Sequence, residues 1–583
     1  MAGQPLYLGF DLSTQQLKGI VITSTLEVAH VAKVDFDQDL SHYGIQKGVH
    51  KHEDAQEVFA PVAMWVEAVD LVLDRLKADG LDFSRIKGIS GAGQQHGSVY
   101  WSEEAEGLLE NLDGHKTLAE QLAPRAFSHA NSPNWQDGST QKQCDQFDRC
   151  LGDVEDLTRV TGSRAHHRFT GPQIMRFRVK WLEDYKATAR ISLVSSFLAS
   201  LFLGRVAPID IGDVCGMNLW DMDAKDWSFP LVQLAAGAGE EAAQALQRKL
   251  GDVVHDAGEV LGTVTPWAVK RYGFDPHCKV FPFTGDNPST ILALPLRPQD
   301  AIVSLGTSTT FLMSTPKFVP DPSYHLMHHP TTSGLNMFML CYKNGGLARE
   351  KVRDQINEAA GMDRRSNSWD GFDQCIARSE PMHKKHASDS AQMGLYFPLA
   401  EIVPNVRPGV WRFSYDPSLP DMDPRKLIEN EADWNLPEED ARAIVESQIF
   451  SLRLRSKNLV DSPGENLPPQ PRRIYLVGGG ARNDMIAQTV GTMLGGTEGV
   501  YRFHAEENGC AFGSAQKAVW ANERKPGQKF DDLVAERWNE EASIRKVDQG
   551  YRPGIYEEYG KALPGFAAME GMVLRKQNPM EEV

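Results

Sequence analysis

Apolar runs along this chain end repeatedly in polar turns, and two of those junctions share a plan. Tyr7–Phe10 reads as a strand that runs into Asp11, passes a turn rich in hydroxyl and amide groups (Ser13, Thr14, Gln15, Gln16), and returns as a strand from Leu17 to Thr23. Residues 302–312 repeat it: Ile302 and Val303 lead into Ser304-Leu305-Gly306-Thr307-Ser308-Thr309-Thr310, and Phe311-Leu312 leaves. Residues 474–483 differ: an apolar strand ends in Gly478-Gly479-Gly480, and a helix begins near Asn483. Between them, Glu53–Asp79 predicts an amphipathic helix with Phe59, Val62, Val66, Val69, Leu73 and Leu76 on one face. Ile86–Ser90 predicts a buried strand, and Ile191–Leu203 a buried helix too short to span a bilayer. Residues 209–216 read as a turn-rich strand end. Further helices are expected over 141–151 and 347–359 and from Ser368-Trp369-Asp370, with a small-residue helix start at 507–515. Residues 103–134 look like an insertion or lid, and the tail after Gly571 loosely held.

The two hydroxyl turns admit two readings. As polar hairpins they need nothing from Asp11 beyond turn formation. As phosphate cradles their converging N–H groups hold anionic oxygens, and Asp11 then needs a Mg2+ ion, held through water, between itself and the phosphates. Recurrence in both halves favours the second reading and predicts two similar domains, 1–295 and 296–583, facing a cleft. The strand–glycine–helix element adds a place where a nucleotide can approach the backbone.

Composition narrows the partners. The 583 residues carry 61 basic and 78 acidic side chains, a net charge of −17, which argues against nucleic acid or an anionic membrane. Any anionic ligand must be met by local dipoles, a metal or a few placed cations. The seven cysteines form no CxxC pair, and the N-terminus lacks the pattern of a signal peptide; both predict a cytoplasmic protein with reduced thiols.

Several candidate residues sit at strand ends. Gly91-Ala92-Gly93-Gln94-Gln95-His96 misses the dinucleotide spacing by one residue and better suits a loop presenting Gln94, Gln95 and His96 to a polar ligand. Trp135, on the polar loop 132–140, is a stacking plate for a sugar or a loop anchor. Asp286 follows a strand and Gly285, and Asn287-Pro288 follows it; it is a helix cap, a catalytic carboxylate, or both. The pair His166 and His167, and the set His325, His328 and His329, lack the partners and spacing of a metal site. The chain has no Walker A motif.

With these pieces placed, the chain resembles the FGGY carbohydrate kinases, closest to their eukaryotic D-xylulose-phosphorylating branch. The stretches LGFDLSTQQLK, SGAGQQHGSVYW, SPNWQDGSTQKQCDQF, RFTGPQI, FTGDNPST, VSLGTSTTF, CYKNGGLAREKVRD and VGGGARND carry the likeness, over Leu8 to about Tyr556. The resemblance implies an α/β fold of two actin-like/ribonuclease-H-like domains, each a mixed five-stranded sheet flanked by helices, around a central cleft. It implies transfer of a phosphoryl group from ATP, with Mg2+, to D-xylulose. His96, Arg168, Asp286 and Asn287 would bind the ketopentose, with Trp135 beside it, and Asp286 would be the general base. Asp11, Ser13, Thr14 and Gln15 would meet the phosphates, Asp11 ordering the metal through water; Gly306 and Thr307 would hold the other side. Trp369 would line the adenine or ribose, and Gly479, Gly480 and Asn483 the rest of the nucleotide. The third motif reads Gly-Gly-Gly-Ala-Arg-Asn where the family varies around Gly-Gly-Ala-Ser/Arg-Asn. Alternatives are another ketose or polyol acceptor such as ribulose or glycerol, or a non-catalytic actin-like ATP switch. The expected partner is a small sugar, and the expected state a monomer or weak homodimer.

Overall fold

Strand β1 (Leu6–Leu12) is buried along its whole length because it pairs on both sides. It runs antiparallel to β2 (Gln16–Thr23), which in turn pairs with β3 (Val28–Asp35), and parallel to β4 (Ile86–Gly93). Fully covered central strands read as continuous apolar runs, which is why this one is legible in the sequence. The molecule is a computed structural model describing residues 3–237, 239–363, 366–386, 388–464, 466–503 and 508–577.

The chain folds as two units. Unit 1 is Met1–Arg297, Pro320–Met337 and Glu507–Asn539; unit 2 is Pro298–Val319, Phe338–Glu506 and Glu540–Val583. A single boundary at 295/296 therefore does not hold, since two later segments pack with the first unit. The reason is local. A side chain at Gly9 would meet Ala511 O at 2.2 Å, so the helix Gly509–Glu523 lies directly on β1.

In unit 1 the sheet is completed by the short strands β5 (Gly262–Thr263), β6 (Lys279–Val280) and β7 (Thr284–Gly285); the main path runs β5-β6-β4-β1-β2-β3, and β7 also pairs β4. In unit 2, β8 (Ala301–Leu305), β9 (Thr309–Thr315), β10 (Asn336–Tyr342), β11 (Arg473–Val477), β12 (Gly499–Phe503) and β13 (Ile544–Asp548) run in the order β10-β9-β8-β11-β12-β13. Each unit thus has an antiparallel hairpin whose first strand pairs in parallel with a later one: β1 with β4, and β8 with β11. This repeated topology is the duplication expected from the two turns. The sheets are wider than five strands; that of unit 1 has seven, because very short strands extend its edge.

Other expectations need correction. Glu53–Asp79 is not one helix: Glu57–Pro61 is a strand, and the helix starts at Val62, after Pro61 as its cap. Ile191–Leu193 belongs to the strand Thr188–Leu193, and the helix is Val194–Leu203. Residues 103–134 are no lid. Leu109, Leu118, Leu122 and Ala126 are buried in the core of unit 1, and Asp70 accepts the N–H groups of Leu118 and Ala119 at 3.1 and 3.2 Å. The helix Ile555–Gln577 runs past Gly571, with Val573 buried; the rest of that tail, and Glu507 of the small-residue helix start, lie outside the described residues. Among the described residues no helix is long and apolar enough to cross a membrane.

Candidate functional site

Unit 1 gathers acids at the ends of its parallel strands. Asp286 opens the helix Asp286–Ile291 directly after β7, but the cap residue is Gly285, so the cap reading of Asp286 is set aside. Its Oδ1 accepts the backbone N–H of Asn287 at 2.8 Å, the side-chain amide of Asn287 at 3.1 Å and the backbone N–H of Gln95 at 3.3 Å. Asn287 also donates to Gln95 Oε1 at 3.0 Å. Asp286 and Asn287 are thereby locked to the loop after β4.

Asp11, next to the end of β1, is buried, and its Oδ1 has no hydrogen-bond partner among the described residues. Burial pushes its carboxyl up to about 6, against the pull of Lys18 and the Cys510 thiol. Asp286 is pushed up to about 7, first by burial and then by the charge of Asp11. Two more acids lie behind. Asp213 accepts from Ser195 Oγ at 2.5 Å and Gln95 Nε2 at 3.4 Å, and burial pushes it up to about 7. Asp210 accepts from Thr284 Oγ1 at 2.6 Å. Lys517, on the helix Gly509–Glu523, is wholly buried and is the cation acting on both Asp210 and Asp213. Cys510, on the same helix, donates its thiol to Asp286 O at 3.5 Å.

A second cluster adjoins through the Gln95-His96 step. His96 adopts φ 75°, a region that non-glycine residues enter only when the surroundings hold them there. What holds it is a bond of 2.9 Å between Nδ1 and Gly216 O and stacking on Phe169, with centroids 4.6 Å apart. A carbonyl only accepts, so Nδ1 carries the proton and Nε2 is an acceptor. Burial, then Arg168, pull the imidazole well below its ordinary pKa, so it is neutral. Arg168 donates from Nη2 to His325 Nε2 at 2.9 Å, and His325 Nδ1 meets Ser163 Oγ at 2.9 Å. A guanidinium has no acceptor, so Nε2 of His325 accepts and its Nδ1 donates to Ser163. His166 faces His325, while His167 turns away to Gln141, as adjacent residues do. His329 accepts backbone N–H groups of Thr331 and Thr332. Among the described residues no three His, Cys, Asp or Glu side chains form a metal-binding group.

Trp135 is 46% exposed and donates its indole N–H to Thr14 Oγ1 at 2.8 Å, while Asn134 donates to Gln94 Oε1 at 2.5 Å. The loop 132–140 is therefore tied to the first hairpin turn and to the Gln94-Gln95-His96 loop. In that turn, the Ser13 N–H donates to Gln16 O at 3.0 Å.

Unit 2 holds the other candidates. Gly306 and Thr307 form the turn between β8 and β9. After β11, Gly478 takes φ 88°, and a Cβ there would meet Leu305 C at 2.9 Å, so only glycine brings the two turns together. A Cβ on Gly479 would meet nothing within 4 Å: this face is open. Asn483 caps the helix Asp484–Leu494 through Ile486 N at 3.0 Å and donates to Asp373 Oδ1 at 2.6 Å. Trp369, at the start of the helix Asp370–Arg378, has Arg353 over its ring at 4.9 Å.

Asp286, Asn287, His96 and Arg168 are singled out in the sequence as candidates, whereas their neighbours Asp213, Lys517 and His325 are not. Asp213 lies in the stretch that reads as a turn-rich strand end; its tie to residues 95 and 517 is a tertiary fact with no local signal.

Residues 301–522 match the family model described as the FGGY family of carbohydrate kinases, C-terminal domain. A chain of Neosartorya fischeri named "Probable D-xylulose kinase A" is 60% identical over 573 residues, 98% of each chain. "D-xylulose kinase A" of Aspergillus niger is 58% identical over 98% of this chain and 99% of its own. Among solved structures, a xylulose kinase from Rhodospirillum rubrum superposes with a TM-score of 0.72 at 17% identity, covering 97% of this chain and 99% of its own, a likeness of fold.

Proposed function

The chain belongs to the FGGY family of carbohydrate kinases, and on that premise we propose that it transfers the γ-phosphoryl group of ATP to D-xylulose, giving D-xylulose 5-phosphate and ADP. The observation that carries the choice of acceptor is the near-full-length identity to chains named D-xylulose kinase.

The residues of unit 1 suit a polyhydroxylated acceptor. His96 Nε2 accepts a sugar hydroxyl, Arg168 donates to another, and the side-chain oxygen of Asn287 accepts a third. Asp286 takes the proton of the attacking primary hydroxyl as its oxygen bonds to the γ-phosphorus. The bond from that phosphorus to the β–γ bridging oxygen breaks, and the electron pair leaves with ADP. General base catalysis is typically worth roughly 10²–10⁴-fold, the remainder coming from position and charge. A carboxyl pushed up to about 7 suits proton transfer, being ionised in a good share of molecules at neutral pH yet basic enough to accept a proton.

Asp11 presents a buried carboxylate oxygen with no partner among the described residues, beside Asp286, and such hard oxygen donors fit Mg2+. Asp11 would hold that ion through its water; bound there, Mg2+ would neutralise charge on the phosphate chain. In unit 2 the open side of Gly479 leaves room for the nucleotide, with Trp369 and Asn483 near its base and ribose, and the Gly306–Thr307 turn at its phosphates.

The test is an ADP-release assay over D-xylulose, D-ribulose, glycerol and other polyols. D-xylulose is expected to give the highest kcat/KM. A higher value for another acceptor would overturn the substrate, and ADP release indifferent to any acceptor would favour the ATP switch.

A further inference from the structure

The helix Gly346–Ala359 begins against the turn after β8: Gly346 N–H donates to Gly306 O at 2.8 Å. Arg349 lies in its first turn and is 2% exposed. Its Nη1 donates to Gln448 Oε1, and Gln448 Nε2 donates to Asn344 O at 2.9 Å and Gly345 O at 3.0 Å. Its Nη2 is buried with no hydrogen-bond partner among the described residues. That nitrogen lies 3.1 Å from the point a Cβ on Gly480 would occupy, and Leu305 O lies 2.9 Å from the same point. The guanidinium thus lies close to Gly480 and to Leu305, where the two glycine turns of unit 2 meet.

A buried cation is costly unless an anion compensates it. Among the described residues Arg349 makes no ion pair; the charge acting on it is that of Glu350, its exposed neighbour. Burial pulls the guanidinium down to about 10, the mark of a charge held without a partner. Of the two turns above it, residues 306–310 contain no cationic residue and Gly479–Arg482 ends in one, Arg482, which is exposed to solvent, so Arg349 is the buried charge of the two; the chain as a whole is anionic. Anionic oxygens held by those turns would therefore draw on the nearest fixed positive charge below them. Such a charge acts farther through protein than through water, because the medium screens it less.

We propose that Arg349 is the buried counter-charge for the phosphate chain of the nucleotide, acting through the Gly306 and Gly478–Gly480 turns as a positioning residue. The inference rests on the kinase reading for its ligand. It explains why a charge is kept where a methionine would pack: its cost in the unliganded protein is recovered when phosphate arrives.

The experiment titrates wild type, Arg349→Met, Arg349→Gln and Arg349→Lys calorimetrically with ATP, ADP and adenosine, Mg2+ present, and records unliganded Tm. The neutral variants are expected to lose about tenfold or more in affinity for ATP and ADP, with adenosine within about twofold, as a lost charge interaction requires. Their unliganded Tm is expected to be unchanged or higher, and Arg349→Lys to stay within about threefold of wild type for ATP. ATP affinity retained in Arg349→Met, equal losses for ATP and adenosine, or failure of both neutral variants to fold would overturn the inference. Wild type without affinity for ATP or ADP would instead remove the kinase reading, and with it the ligand for Arg349.

Discussion

Gln95 donates its backbone N–H to Asp286 Oδ1 at 3.3 Å, so the loop after β4 sets where the carboxylate points. The same residue accepts from Asn287 and donates to Asp213 through its side-chain amide. One glutamine joins the acid, its neighbouring amide and the acid behind.

Replacing that side chain should loosen the site without emptying it. Gln95→Ala leaves the backbone bond but strands the buried Asp213 Oδ1 and one amide N–H of the half-buried Asn287, and a buried polar group left unpaired costs about 1–3 kcal/mol. The expected result in steady-state kinetics is a fall of about tenfold or more in kcat/KM for D-xylulose, with KM for ATP within about twofold. An unchanged kcat/KM would show that Gln95 does not hold the site.

His325 should matter through Arg168. A leucine there removes the acceptor for Nη2, whereas glutamine offers a carbonyl oxygen in place of Nε2. His325→Leu is expected to raise KM for D-xylulose about tenfold, with kcat within about threefold, and His325→Gln to restore most of it. Equal impairment in both would make the histidine a packing residue.

Asp213 yields a stability prediction. Its folded carboxyl, pushed up to about 7, lies well above the roughly 3.9 of an unfolded aspartate. The folded chain keeps a proton that the unfolded chain releases. The resulting stability is full below about pH 4 and lost as pH rises through about 7. Asparagine resembles the protonated acid at every pH, so Asp213→Asn should gain Tm over wild type at pH 8 relative to pH 5. A Tm difference independent of pH, or larger at pH 5, would contradict the raised pKa.

Much of this site is readable in the chain because its parts are local. Hydroxyl turns between apolar strands mark Ser13–Gln15 and Gly306–Thr307, and a strand, a glycine and an acid before Asn-Pro mark Asp286. What is not readable depends on distance. The helix Gly509–Glu523 rejoins unit 1 only because Gly9 lets it lie on β1, and nothing near residue 510 says so. Periodicity makes the Glu53–Asp79 helix too long because Phe59, three residues before Val62, also fits helical spacing; pairing of Glu57–Pro61 with its neighbouring strands overrides that spacing. Residues 103–134 look detachable because their apolar residues are sparse, yet Leu118 and Leu122 are wholly buried.

The most direct measurement is the single-turnover phosphorylation of D-xylulose by Asp286→Asn, beside calorimetric binding of the sugar. Asparagine keeps the shape and loses the base. Turnover should fall roughly 10²–10⁴-fold, with sugar affinity changing far less. Turnover near that of wild type would contradict Asp286 as the proton acceptor and, with it, the mechanism built around that carboxylate.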